Sequence, residues 1–445
     1  MAATTIDATF TRGDASRRSR LTAALAPGLL ALIAVSVLAG FDLAARDWDI
    51  TLFLRVGEHS SARPFITDDI PDTEIVAGWG HDGQANYVLA ATFPDMPAAE
   101  GHLDSVTYRA RRIVYPALLS LVPRGRALAS AMLMANLAAV VVAAIAVGHL
   151  AVRAGASRRV GAIVGVTPAF VTSAVLDLGD GLAIALTAGG VVLWRRSETT
   201  RAAMLAVALL TLGALTRETT LVVTAAMLLV AVGDDRTVTR RSWVLLVPGS
   251  VVVAWIVALE IWIGGPGKSA TQFALPFRGW FDSGIASRET LGAAALVALS
   301  AWVAHRLWAI DRVFALVVAA EGALLCCVDQ AVLFHTLNLA RVTPWVVPWA
   351  AIVLVAQNDR SIPHVQRLAP SFRPAREDRS ADRPQERDRI PEGEDCIDLR
   401  APERTQPVAH GELPSDQLVD GRLAVADEVD PLDSLAAPGR RLGAG

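Results

Sequence analysis

Three arginines stand within four residues in Tyr108-Arg109-Ala110-Arg111-Arg112, and Tyr115-Pro116 follows. Planar guanidinium groups at that density could grip a phosphate with forked hydrogen bonds. They could equally anchor a helix end at lipid headgroups, with Tyr108 and Tyr115 in the aromatic belt. The spacing alone does not choose. Upstream, His81-Asp82-Gly83-Gln84 reads as a turn that presents a carboxylate, with Gly83 lending backbone freedom, and 85–91 as a short helix after it. Asp47-Trp48-Asp49 offers a second carboxylate pair, in a form that arises often by chance.

Further ionisable residues lie at the edges of apolar runs: Asp42, Asp177 and Asp180, Arg217 and Glu218, Glu260, and Asp329, His335 and Arg341. Glu321 alone sits inside a run. Any one of these reads as an interfacial cap or a snorkelling side chain. As a set, their one-sided placement favours a shared polar cavity, because ionisable groups at membrane depth are costly.

The elements that must hold these groups are apolar. The chain has 445 residues, 53% hydrophobic and 19% charged, with a net charge of −3. That average hides two unlike parts. Residues 357–445 hold 18 Asp/Glu and 13 Arg, while 1–356 carry about +2 and most of the apolar residues. A soluble globule is disfavoured for 1–356, and so is a basic nucleic-acid binder. The adjacent Cys326 and Cys327 and the distant Cys396 form neither a disulfide framework nor a zinc site. Glycine-rich phosphate loops and the common hydrolase motifs are missing.

Runs near the bilayer length of ~20 residues occur at 21–41, 127–152, 160–176, 179–194, 202–216, 219–233, 243–263, 290–310, 313–334 and 336–356. The expected fold is all-α: a polytopic helical membrane protein of about ten transmembrane helices. Arg17, Arg18 and Arg20 precede the first run, which is too long for a signal h-region. With 1–20 inside, the inner loops hold Arg153, Arg158 and Arg159, then Arg195, Arg196 and Arg201, Arg236, Arg240 and Arg241, and Arg306 and Arg312. This is the positive-inside pattern of a multi-pass plasma-membrane protein. Long outer segments are then expected at 42–112, with short interfacial helices, and at 264–289, where Pro266, Pro276, Phe277, Trp280 and Phe281 would suit a lid. The expected domains are 1–20, a membrane domain 21–356, and a disordered cytoplasmic tail 357–445.

The order of a first span, a long outer loop with Asp82-Gly83-Gln84, then Tyr108-Arg109-Ala110-Arg111-Arg112-Ile113-Val114-Tyr115-Pro116 resembles GT-C-type membrane glycosyltransferases. These are related in plan to mannosyltransferases that use lipid-phosphate sugars. Weaker echoes are 176–182 around Asp180, 215–219 around Arg217-Glu218, and 338–341. His81 and Asn86 depart from the pattern, which favours aromatic residues there.

The resemblance implies sugar transfer from a polyprenyl-phosphate donor to an envelope glycan, lipid or protein at the outer face. On that reading Asp82 is the base, and Asp47 or Asp49 a second carboxylate or a ligand to a divalent cation. Arg109, Arg111, Arg112, Arg217 and Arg341 bind the donor phosphate, with Gln84, Tyr108, Tyr115, Asp180 and Glu218 as neighbours. Two other classes stay open: a transporter or lipid flippase, for which Pro168, Pro344 and Pro348 would break spans, and a non-catalytic scaffold.

Overall fold

The protein is seen as a computed structural model that describes residues 8–235, 240–264, 274–285, 287–333 and 336–358. The expected tail from 359 onward lies outside the described residues, as do His335, Pro266 and Arg236. The described chain is mostly helical with few strands.

Helix α1 (Ala8–Ala44) opens the chain. A compact segment follows it. Strand β1 (Val56–Gly57), helix α2 (Ala62–Asp69) and strand β2 (Ile75–Val76) come first, then α3 (Asp82–Thr92), α4 (Val106–Arg109) and α5 (Val114–Leu119). Helix α6 (Arg126–Arg153) is followed by α7 (Pro168–Val175), α8 (Asp180–Arg196), α9 (Thr200–Thr216), α10 (Leu221–Asp235) and α11 (Arg240–Trp243). The last group is α12 (Val247–Leu259), α13 (Arg278–Asp282), α14 (Arg288–Leu307), α15 (Arg312–Cys326), α16 (Gln330–Leu333), α17 (Thr336–Val342) and α18 (Val346–Asn358).

Four helical stretches are long and apolar enough to cross a membrane: Thr22–Ala44, Arg126–Arg153, Val244–Gly264 and Arg288–Leu307. Much of their apolar surface faces outward. Leu29, Ile33, Val37 and Phe41 on α1 are exposed, as are Val253 and Val257 on α12. An apolar face that wide and uncovered is costly in water and suits lipid. The other expected spans fall on shorter pieces. The run 160–176 divides into a 3-10 helix, Arg158–Val166, and α7, because Pro168 has no N–H and takes the first position of a new helix. The run 336–356 breaks at Thr343-Pro344 between α17 and α18 for the same reason.

Glu321 owes its place to this second break. Buried on α15, it accepts the backbone N–H of Trp345 at 3.2 Å, at the start of α18. A carboxylate there meets a donor that the broken helix leaves unpaired. Trp345 and Trp349 pack on Phe314 from the same side, at ring-centroid distances of 5.3 and 4.4 Å.

The segment between α1 and α6 has its own core. Leu54, Ile66, Tyr87, Leu89, Met96 and Tyr115 are buried together with Leu128 and Met132 of α6 and Leu259 of α12. Its helices are short, and it also carries a two-stranded parallel sheet. Val56 pairs with Ile75 and Gly57 with Val76, connected through α2. The all-α expectation missed this sheet because each strand is two residues long.

Candidate functional site

The motif 82–84 is a helix start and not the expected turn. Asp82 is the first residue of α3. Its carboxylate therefore sits at the positive end of a helix dipole, which favours the ionised form. Gly83 is required by close approach: a Cβ there would lie 2.5 Å from the carbonyl oxygen of Leu176 and 3.0 Å from those of Phe53 and Leu54. Gln84 is buried, with its amide engaged by backbone. Its Oε1 accepts the Gly57 N–H at 3.1 Å, and its Nε2 donates to the Trp79 carbonyl at 2.7 Å.

Asp180 is the first residue of α8 and repeats the arrangement. Arg341 of α17 bridges the two carboxylates. It donates through Nη2 to Asp82 at 2.9 Å and through Nε to Asp180 at 2.6 Å, and its Nη1 reaches Asn338 Oδ1 at 3.2 Å. Arg217 pairs with the other oxygen of Asp180. Arg109 donates to Asp82 at 2.5 Å and makes a forked pair with Asp104 at 2.9 and 3.0 Å. Arg112 pairs with Glu218 at 3.2 Å and reaches the Tyr108 hydroxyl at 3.4 Å. Five segments far apart in the chain thus meet around one cluster, at 82–86, 104–115, 177–180, 216–218 and 338–341.

Tyr108 is the hub of the Arg triplet. The guanidinium carbons of Arg109, Arg111 and Arg112 lie 5.6, 5.9 and 5.6 Å from its ring centroid, within cation–π range. Arg111 turns away from the cluster toward Glu260, 3.6 Å from it, next to the π-helical turn Glu260–Gly264. Trp255 Nε1 donates to the Ala110 carbonyl at 3.0 Å and fixes this turn against α12. Arg111 thus faces Glu260 beside α12, while Arg109 and Arg112 face the cluster.

Tyr115 supports the site from below. Its buried hydroxyl donates to the Met132 carbonyl at 3.0 Å and accepts from Asn136 Nδ2 at 2.9 Å. Asn136 Oδ1 lies 3.1 Å from Ser173 Oγ, which donates to the Leu178 carbonyl at 2.7 Å and accepts the Gly181 N–H at 2.8 Å. This chain ties α6 and α7 to the start of α8 and so sets the position of Asp180. Asn136 and Ser173 were not among the expected site residues. A polar amide inside the apolar run of α6 was the signal that could have found Asn136. Asn86, a departure from the motif pattern, donates to the Asp177 carbonyl at 3.0 Å and joins α3 to the turn before α8.

Asp177 is fully buried in a left-handed conformation (φ 49°), and neither carboxyl oxygen has a hydrogen-bond partner. Burial pushes its carboxyl well above the ordinary range, toward the neutral acid. Asp82 behaves in the opposite way. Burial would raise its pKa, but the charges of Arg109, Arg341 and Arg112 outweigh this and hold it well below the ordinary range. As it stands, Asp82 is a firmly ionised, doubly paired carboxylate and a weak proton acceptor.

Asp47 and Asp49 are not brought to this cluster. Neither lines its cavities. Asp47 is exposed, with φ 51°. Asp49 caps the 3-10 turn Ile50–Leu54 by accepting from the Thr51 N–H at 3.1 Å and its hydroxyl at 2.8 Å, and it pairs with Arg126 at 3.1 Å. Its oxygens are engaged in local structure away from the Asp82 cluster. Among the described residues, no three His, Cys, Asp or Glu side chains gather as metal ligands would.

Two cavities meet at Asp82. The inner one, about 20 Å³, is lined by Asp82, Asn86, Tyr108, Arg109, Arg112, Tyr115, Asp180 and Arg341, and has room for about one water molecule. The outer one is an open cleft of about 810 Å³ over α2 and the start of α3. Asp82, Ala85 and Arg109 line both. A polar site with matched opposite charges, opening into a ligand-sized cleft, can bind an anion by exchanging one ion pair for another. No family model, no curated protein and no solved structure matches this chain.

Proposed function

We propose that this chain is an integral membrane glycosyltransferase. It moves a sugar from a polyprenyl-phosphate donor to a hydroxyl of an envelope acceptor at the outer face of the plasma membrane. One observation carries the reading: Asp82 sits between Arg109 and Arg341 at the wall shared by the small inner cavity and the open cleft. A lipid phosphate offers the arginines the same ligand that Asp82 offers. Its arrival draws Arg109 or Arg341 away from the carboxylate and releases Asp82 from the charge that keeps its pKa low. The acceptor oxygen then attacks the anomeric carbon, the bond from that carbon to the phosphate oxygen breaks, and the phosphate leaves with the electron pair onto the arginines. Asp82 takes the acceptor proton.

The ten-pass topology with both ends inside belongs to this proposal. Two ion-pair groups support it. Arg195 forks onto Asp311 at 2.5 and 2.8 Å, joining two turns that the reading puts inside. Arg341, Asp82 and Asp180 join three that it puts outside. The shorter helices then cross in pieces, with α7 following the 3-10 helix before it and α18 following α17.

The test is a comparison of lipid-linked sugars and envelope glycans in a deletion strain, its parent, and strains that carry the wild-type chain or Asp82→Asn. The expected result is one missing sugar in the deletion and Asp82→Asn strains, with the undecorated acceptor and the unused lipid-linked donor accumulating. Unchanged glycan composition in the deletion strain rejects the transferase. A lipid-linked sugar trapped on the inner leaflet, with the glycan otherwise complete, indicates a flippase instead.

A further inference from the structure

The open cleft beside Asp82 has a wall that the ion-pair chemistry leaves unexplained. Trp79 lines it with 63% of its surface exposed. An indole that exposed is costly in water, yet its backbone is firmly held. Gln84 donates to its carbonyl at 2.7 Å, and a Cβ on Gly57 would lie 2.2 Å from its carbonyl carbon, so the turn at Trp79 passes against β1 with no space between them. His59 meets the indole edge-on at 6.0 Å and limits where its face can turn. The result is a flat aromatic platform on a rigid turn.

Around it the cleft is polar and, on balance, acidic. Glu58, Asp68, Asp82 and Asp104 line it against Arg63 and Arg109, with Ser60, Thr67 and His102 between them. Asp82, Asp104 and Arg109 pair with one another, while the lining carboxylates Glu58 and Asp68 face Arg63 alone, which disfavours an anionic ligand beside them. Much of this wall is acceptor groups, which suits a ligand rich in hydroxyl donors. A stacked ring with many hydroxyls and no charge meets each of these demands.

We infer that the cleft binds a neutral saccharide, with one sugar ring on the Trp79 face and its hydroxyls on the carboxylates. Asp82 and Arg109, which line both cavities, put the bound saccharide next to the ion-pair cluster. Its role as the acceptor rests on the transferase reading. The binding itself does not.

The experiment uses the full chain in nanodiscs and measures binding of a neutral mannose hexasaccharide by calorimetry and tryptophan fluorescence. Its sulfated counterpart and a glucosamine hexamer serve as charged comparisons. The expected result is saturable binding of the neutral hexamer, weakened about tenfold in Trp79→Ala and much less in Trp79→Phe. The sulfated hexamer should bind at least about tenfold more weakly than the neutral one. Asp68→Leu, at an exposed position, should weaken binding several-fold should Trp79→Ala fail to fold.

Absence of saturable binding by the neutral hexamer overturns the inference. Equal binding by folded Trp79→Ala, or preference for the sulfated or the glucosamine hexamer, does the same. No donor is present, so these outcomes are independent of transfer. A chain that binds the glycan while its Asp82→Asn strain keeps a normal envelope retains the saccharide site and loses only the transferase reading.

Discussion

At the scale of single residues, the molecule uses one kind of group in two opposite ways. Asp180 is buried and Asp82 partly buried, both at helix starts and both paired with arginines. Asp177, three residues before Asp180, is fully buried away from the arginines, and burial pushes its carboxyl toward the neutral acid. For Asp82 the consequence is a definite pH dependence. Its folded-state pKa lies well below the unfolded value. The ion pairs therefore contribute in full above about pH 4, and the contribution is lost as pH falls through the lowered folded value. Thermal unfolding of the wild type and of Asp82→Asn should differ by a constant amount from pH 7 down to about pH 4, and converge below. A gap that closes between pH 7 and 5 would mean that the carboxylate is not held by Arg109 and Arg341.

Helix starts and helix breaks do much of the positioning at the scale of elements. The first turn of α3 presents Asp82 only because Gly83 lets the backbone of 53–54 and 176 approach. Gly83→Ala should destabilise the chain by about 1–3 kcal/mol, as overpacking against rigid backbone does. On the transferase reading it should also lower activity more than it lowers the amount of folded protein, since Asp82 must move with its helix. Gel-filtration yield measured beside specific activity separates the two effects. Glu321 acts at a distance on α18. Glu321→Ala leaves the Trp345 N–H without its acceptor and should cost about 1–3 kcal/mol, read as a lower unfolding midpoint. Glu321→Gln keeps an acceptor oxygen and should lose less.

Orientation matters most at the scale of the whole molecule. The Asp82 cluster and the Arg195–Asp311 pair lie, on the ten-pass reading, at opposite sides of the membrane. In a background with Cys326, Cys327 and Cys396 changed to serine, Ser61→Cys beside the cleft should react with a membrane-impermeant maleimide in intact cells. Glu198→Cys, after α8, should react only once the cells are opened. Equal labelling of both sites in intact cells, or the reverse pattern, rejects the topology.

Much of the site was legible in the sequence, because charged groups beside apolar runs are few and each stands out. Asp180, Arg217, Glu218 and Arg341 were named by that rule, Asp82, Arg109 and Arg112 by the two loop motifs, and all seven meet in the folded chain. Composition and hydropathy by themselves determined a mostly helical chain with helices apolar enough for a bilayer. An apolar run of ~20 residues matches a bilayer-spanning helix, which satisfies its whole backbone within the run, and is about twice the length a barrel strand needs. Partners were beyond their reach. Asp49 and Asp82 look alike as acidic residues in one loop, but one caps a turn and the other joins an ion-pair cluster. Gln84 reads as a site residue beside Asp82 and turns out to pin a strand. Arg111 stands between two cluster arginines and faces α12. In each case the choice depends on which distant backbone or side chain comes within about 3 Å, the reach of a hydrogen bond, and only the tertiary fold brings those partners together.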